Sequence, residues 1–225
     1  MTFFKQDKIE NFLFALLILF VVVHALFRHD SIQALISAVC GITYSFYAGK
    51  GKPVCYLFGV TGSTFYGYLS FCNALWGNLI LYVGYYIPMQ IIGYFKWNEN
   101  LKVDKKEIVK TSLSKRDFSC LVLINLILVF CLFLILRYFN DLHPILDSVT
   151  TIFSITGMVL TVKRCIEQWL FWTAVNGLAL IMWLNIALGG ARVWSTVLMW
   201  AVYLFLSIYF YIQWKREMSK PNMNN

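Results

Sequence analysis

The chain has 225 residues, of which 60% are hydrophobic, 18% aromatic and only 13% charged, with a formal net charge of +8. Water-soluble domains carry about 25% charged and about 45–50% apolar residues, so water cannot be the solvent of most of this chain. The basic residues fall between apolar segments, which fits membrane topology and argues against nucleic-acid binding.

A helix needs about 20 mostly apolar residues to cross a hydrocarbon core roughly 30 Å thick. Such stretches predict eight spans, at about 10–27, 31–49, 53–72, 76–96, 118–137, 143–162, 166–188 and 192–214. Ahead of the first, Lys5 and Lys8 resemble the start of a signal peptide, with Val23-His24-Ala25 as a weak cleavage site. The charge alternation works with the segment retained, so it reads as a transmembrane anchor, with His24 a packing residue. The second and sixth runs carry several Ser and Thr, but neither has a Lys or Arg inside. Between the fourth and fifth runs, the charge-dense stretch 99–117 reads as a solvated connector and not a site.

The basic residues orient the spans. With the N-terminus in the cytoplasm, the inner segments hold 16 of them: Lys5, Lys8, Lys50, Lys52, Lys96, Lys102, Lys105, Lys106, Lys110, Lys115, Arg116, Lys163, Arg164, Lys215, Arg216 and Lys220. The outer side receives only Arg28, Arg137 and Arg192. That asymmetry supports eight spans with both termini cytoplasmic. The six cysteines (40, 55, 72, 120, 131 and 165) all fall in apolar segments without metal or redox spacing, and read as small packing residues.

The two halves resemble each other. Tyr56-Leu57-Phe58 aligns with Trp169-Leu170-Phe171 at an offset of 113, and Trp97 with Trp214 at an offset of 117. The second offset also pairs Tyr86 with Tyr203 and Tyr94 with Tyr211, and a four-residue insertion between Asn185 and Arg192 reconciles the two. The expected organisation is therefore all-α and integral to the membrane. It comprises an N-terminal anchor (1–30), a three-helix repeat (31–97), a cytoplasmic loop (98–117), a linking helix (118–140), a second three-helix repeat (141–214) and a cytoplasmic tail (215–225). An odd number of helices per repeat would invert the second copy, and the single linking helix restores its direction. Transporters built from such parallel repeats place the solute site near the midplane between them.

Polar groups within spans are costly and therefore informative. Trp169, Trp172 and Asn176 fall at i, i+3 and i+7, within an arc of about 60° on one helix face. Two indoles followed by an amide suit a flat heteroaromatic solute, including a cationic one. Trp169 reads equally as an interfacial anchor, and Asn176 as glue between helices. On the fourth run, Pro88 frees the carbonyl of Gly84 and predicts a kink, Gly93 permits close helix approach, and Gln90 is the better functional candidate. Asp147 reads as an interfacial acid or a cap, and Glu167 as an ion-pair partner of Lys163 and Arg164. No metalloprotease, hydrolase-elbow or phosphate-loop motif occurs, so neither an enzyme, a cofactor nor nucleotide-driven transport is expected.

The run from Asp147-Ser148 through Lys163-Arg164 to Glu167-Gln168-Trp169-Leu170-Phe171-Trp172-Thr173-Ala174-Val175-Asn176 resembles the second-half signature of the nicotinamide riboside transporter (PnuC) family, Glu-x-Trp-x-x-Trp-x-x-x-Asn. The run from Tyr86 to Trp97 is similar to the corresponding first-half stretch. The resemblance covers residues 31–214 and leaves the first span outside the seven-helix core. It implies a homotrimer in the bacterial inner membrane with a fold like full-length SWEET sugar transporters. It also implies facilitated diffusion of nicotinamide riboside, trapped by a cytoplasmic kinase that feeds NAD synthesis. Trp169, Trp172, Asn176 and Gln90 would line the substrate site, with Tyr86 and its counterpart Tyr203 beside them. Sister branches take thiamine or riboflavin, so a thiamine carrier is the alternative.

Overall fold

The computed structural model describes residues 2–27, 31–72, 79–102, 107–140, 144–189 and 194–219. Arg28, Lys105, Lys106, His143, Arg192 and Lys220, and the side chain of Lys5, lie outside this description. Among the described residues the fold is all-helical, apart from two isolated bridges that pair Leu101 with Ile108 and Thr111 with Cys165. The helices are α1 (Thr2–Phe27), α2 (Ile32–Gly49), α3 (Cys55–Cys72), a π-helical segment (Ile80–Tyr86) running into α4 (Ile87–Asn98), α5 (Lys115–Tyr138), α6 (Pro144–Val162), α7 (Gln168–Leu188) and α8 (Trp194–Met218). Five of them, α1, α2, α5, α6 and α8, are long and apolar enough to cross a membrane by themselves. The Gly-, Ser- and Tyr-rich sequence of α3 makes it less apolar, as befits a helix packed among others.

Local chemistry sets the helix ends. Ser31 caps α2 by accepting the Ala34 amide at 3.2 Å, and Ser114 caps α5 by accepting that of Asp117 at 3.1 Å. The Ser114 hydroxyl also donates to the Asp117 carboxylate at 2.7 Å, which fixes an acid in the first turn where the helix dipole favours it. After α2 the chain stops at Gly51, whose φ of 67° is left-handed; after α6 it stops at Arg164, with φ 63°. These two turns lie 113 positions apart, at the offset seen in the sequence.

The C-terminal ends of α2, α4, α6 and α8 meet at one end of the bundle, beside Lys50, Lys52, Lys163, Arg164, Lys215 and Arg216. Two fully buried indoles bind this end together. Trp97 of α4 donates Nε1–H to the Thr161 carbonyl of α6 at 2.9 Å, and Trp214 of α8 donates to the Gly49 carbonyl of α2 at 2.6 Å. Accordingly α4 lies against α6 and α2 against α8, while α2–α3 and α7–α8 form the closest pairs. Gly62 brings α3 against Cys40 and Gly41 of α2, and the Ser37 hydroxyl donates to the Gly62 carbonyl at 3.2 Å. The linking helix α5 is largely exposed, with Phe118 and Leu121 packed against the core and Asn125 buried, accepting the Thr156 hydroxyl of α6 at 2.7 Å.

Two expectations are corrected. The stretch after α4 is not a solvated connector throughout: residues 107–114 form a strap across the basic end. Ile108 is fully buried in the core, and its amide donates to the Gly51 carbonyl at 2.9 Å. Thr111 donates to the Arg164 carbonyl at 3.0 Å and accepts the Ile166 amide at 2.9 Å. Lys110 is paired with Glu217 and lies 4.8 Å from the Trp214 ring centroid. Burial pushes its pKa below the ordinary lysine value, against the opposing pull of Glu217. The second correction concerns Glu167, whose Oε1 accepts the Leu113 amide of the strap at 3.0 Å, while the Arg164 guanidinium turns to the Val109 carbonyl. One carboxylate oxygen thus meets a main-chain amide of the strap, 54 positions away in sequence, in place of the two cations.

The first helix is more than an anchor. Val21 and Ala25 are buried, Phe14 stacks on Phe46 of α2 at 4.1 Å, and Glu10 holds both Lys50 and the Tyr209 hydroxyl of α8.

Gly51 combines a left-handed φ with a Cβ position only 3.1 Å from Ile108 Cγ1. Gly51→Ala is therefore expected to cost about 1–2 kcal/mol, read as a lowered thermal midpoint in detergent. An unchanged midpoint would show that the turn relaxes freely.

Candidate functional site

The π-helical segment builds one wall of the site. Pro88 cannot donate a backbone hydrogen bond, and upstream of it the chain winds wider: the Ile87 amide bonds to the Tyr82 carbonyl five residues back. The sequence marks the kink but not this wider turn. Its effect is to fan out Tyr82, Tyr85 and Tyr86. Tyr82 stacks on Tyr66 of α3 with centroids 4.2 Å apart and meets Tyr86 edge-on at 4.9 Å. Tyr86 in turn presents its edge to Trp172 of α7 at 6.5 Å. Tyr85 leaves this row and donates to the Ile155 carbonyl of α6 at 2.8 Å, fixing the fan to the other half of the chain.

Trp172 is held in place from two sides. Its indole lies flat over Gly157 of α6, where a Cβ would stand 3.1–3.3 Å from three ring atoms. Its Nε1–H donates to the Thr161 hydroxyl at 3.1 Å, and that hydroxyl donates onward to the Gly157 carbonyl at 2.8 Å. Thr161 also receives Trp97 on its carbonyl, so one buried residue orients both indoles. Trp172, Tyr86 and the row of tyrosines beside them form an aromatic cluster, of the ring types that attract flat solutes, neutral or cationic.

The structure thus joins Trp172 with Tyr86, and each of the other expected residues has its own packing partners. Trp169 is 4% exposed and packs at the basic end, 5.6 Å from Phe210 and 5.7 Å from Trp214, with its buried Nε1–H unpartnered. Asn176 is buried one turn beyond Trp172, its Nδ2 3.5 Å from the Ser207 hydroxyl of α8, which also accepts from Thr173 at 3.1 Å. Gln90 is buried between α3 and α4, where its amide exchanges hydrogen bonds with the Ser63 hydroxyl at 3.1 and 3.3 Å and lies against Gly59. Tyr203 rests its hydroxyl against Gly41 of α2 and its ring edge-on to Trp200.

Sequence reasoning passed over Tyr66, Tyr82, Gly157, Thr161, Ser63 and Ser207. For the two serines a signal was available. The offsets of 113 and 117 pair Ser63 with Asn176 and Gln90 with Ser207, so each half carries one amide and one hydroxyl at corresponding positions. The structure bonds each pair within its own half.

Residues 31–216 match the family model described as "Nicotinamide mononucleotide transporter". The chain is 31% identical to the nicotinamide riboside transporter PnuC of Neisseria mucosa over 195 residues, covering 84% of this chain and 74% of that protein. It is 29% identical to the protein of the same name from Haemophilus influenzae, covering 86% and 83% respectively. Among solved structures it is similar to the crystal structure of the vitamin B3 transporter PnuC, with a TM-score of 0.81 and 29% identity, covering 92% of this chain and 91% of that one.

At Gly93 a Cβ would stand 2.4 Å from the buried Tyr56 ring, which is itself held edge-on by Trp97 at 5.0 Å. Gly93→Ala should therefore destabilise the fold by about 1–3 kcal/mol through overpacking. A thermal midpoint equal to wild type would show that Tyr56 can move aside.

Proposed function

The chain belongs to the nicotinamide mononucleotide transporter family, and on that premise we propose that it carries nicotinamide riboside across the membrane by facilitated diffusion. The observation that carries this reading is the Trp172–Tyr86 pair, fixed by Gly157 and Thr161 and continued by Tyr82 and Tyr66. A nicotinamide ring is flat and cationic, so the faces of indole and phenol attract it by stacking and by cation–π interaction. Its carboxamide and ribose hydroxyls need groups that both donate and accept, which the amide–hydroxyl pairs Asn176–Ser207 and Gln90–Ser63 offer. Trp169 acts in this reading from the cytoplasmic side of the site, where its unpartnered N–H meets the solute on its way out.

The reading extends to architecture. The chain is taken as eight spans: α1, then two parallel three-helix repeats joined by α5, as in full-length SWEET transporters. Its support is the reciprocity of the two indole bonds and the matched left-handed turns at Gly51 and Arg164. The basic end is assigned to the cytoplasm on the positive-inside rule, which puts both termini there; the family resemblance implies a bacterial inner membrane. Assembly as a homotrimer and trapping of the product by a cytoplasmic kinase complete the proposal. The repeats then gate alternately around the aromatic site.

Calorimetric titration of the purified protein tests the cargo. Nicotinamide riboside is expected to bind at micromolar concentration or tighter, and thiamine and riboflavin not to bind. Binding of thiamine alone would move the protein to the sister branch. Trp172→Ala is expected to weaken nicotinamide riboside binding by about 1 kcal/mol or more, about fivefold. Unchanged affinity would remove Trp172 from the site.

A further inference from the structure

We propose that the strap of residues 107–114 is a cytoplasmic latch that stays on the turn after α6 and lets go of the turn after α2, at the Ile108–Gly51 seam, in each transport cycle. The proposal concerns gating; it takes alternating access from the proposed function but does not depend on the identity of the cargo.

The strap bridges the two turns that must separate if the basic end is to open. Its amide at Ile108 is bonded to Gly51, in the turn after α2, and its amide at Thr111 to Arg164, in the turn after α6. Three residues of chain reach at most about 11 Å when fully extended. With the two hydrogen bonds of 2.9 and 3.0 Å added, the turns cannot part beyond roughly 17 Å while both attachments hold, so a wider opening requires one of them to release.

The attachments are unequal, which identifies the one that yields. To the second half the strap makes a two-way backbone bond at Thr111, a bond from the Thr111 hydroxyl to the Lys163 carbonyl at 3.0 Å and one from the Leu113 amide to Glu167. Lys110 adds the pair with Glu217 of α8, its side chain only 6% exposed. The strap also runs straight into α5, which packs on α6. To the turn after α2 it offers one backbone bond and the side chain of Ile108, set against Gly51 and fully buried. Behind that seam it stays joined to the chain leaving α4, where Val109 donates to the Asn100 carbonyl at 2.9 Å and Glu107 accepts the Lys102 amide at 2.7 Å. Release at Gly51 breaks one hydrogen bond and exposes one apolar side chain. Release at Arg164 would break five hydrogen bonds, that of the Arg164 guanidinium to Val109 included, and draw Lys110 from its partner.

The alternation along the strap suits this task. Ile108 and Lys110 point inward, whereas Val109 between them is 48% exposed. Extended chain places alternate residues on opposite sides, so a single strand seals the end with one face and meets solvent with the other. The seam also closes directly over the Trp214–Gly49 bond, because Gly49 and Gly51 belong to the same turn. Separation of the halves at this end needs both to break.

A covalent seam tests the latch. The double variant Gly51→Cys/Ile108→Cys, in proteoliposomes, is expected to lose at least tenfold in nicotinamide riboside uptake on oxidation and to recover when reduced, with wild type unaffected by the same oxidant. Oxidised protein with the cross-link confirmed by mass spectrometry and uptake at the reduced rate would overturn the latch. A second measurement needs no cargo. In inside-out vesicles, a membrane-impermeant maleimide should label Ile108→Cys at least tenfold more slowly than Val109→Cys, and equal rates would also overturn it. Wild-type uptake reports on the cargo separately, so failure of the substrate assignment is not confused with failure of the latch.

Discussion

The architecture turns on the fate of two indole N–H groups. Trp97 and Trp214 are fully buried, and an unpaired donor in such surroundings costs more than a formed bond gains. Each finds its acceptor among the last carbonyls of a helix in the opposite half, where no intrahelical donor remains. The pairing is therefore reciprocal, and it draws the ends of four helices to one point. Tyr56 and Trp169 pack edge-on against these indoles, Gly93 and Gly49 make room for neighbouring rings, and the strap lies over the result. The site above this base inherits its geometry through Thr161, which serves Trp97 with its carbonyl and Trp172 with its hydroxyl.

This sharing ties the aromatic wall to the closed end. A shift of α6 that releases Trp97 also moves the hydroxyl that orients Trp172, so the aromatic wall and the closure of the basic end are linked through one side chain. The tyrosine fan is linked in the same way, because Tyr85 is bonded to α6 at Ile155. The rings of this wall are thus set by polar atoms that report the positions of helices.

Much of this was legible in the sequence because lipid imposes simple rules. Apolar runs located the helices, since a span of about 20 residues has few alternatives in hydrocarbon. The spacing of Trp169, Trp172 and Asn176 placed them on one face, as they are. Depth was harder to read: three residues advance a helix by about 4.5 Å, enough to put Trp169 among Phe210 and Trp214 while Trp172 faces Tyr86. The π turn was hidden because Pro88 announces a missing donor but not how the preceding turn responds. The strap was hidden by its charges, which conceal the alternation of Ile108, Val109 and Lys110 and say nothing of the carbonyls waiting at Gly51 and Arg164. Glu167 illustrates the same limit, since its partner is a main-chain amide that no charge pattern encodes.

The Glu10 clamp has a consequence for biosynthesis. Glu10 lies on α1, made before the other helices described, and its hydroxyl partner Tyr209 lies 199 positions later, on α8. Lys50 reaches the membrane soon after α1, but the second half of the clamp waits for nearly the entire chain. During that interval α1 holds a carboxylate at the membrane boundary with its binding groove between α2 and α8 only half built. Helix α1 can thus settle on α2 early, but its clamp is completed only when α8 arrives.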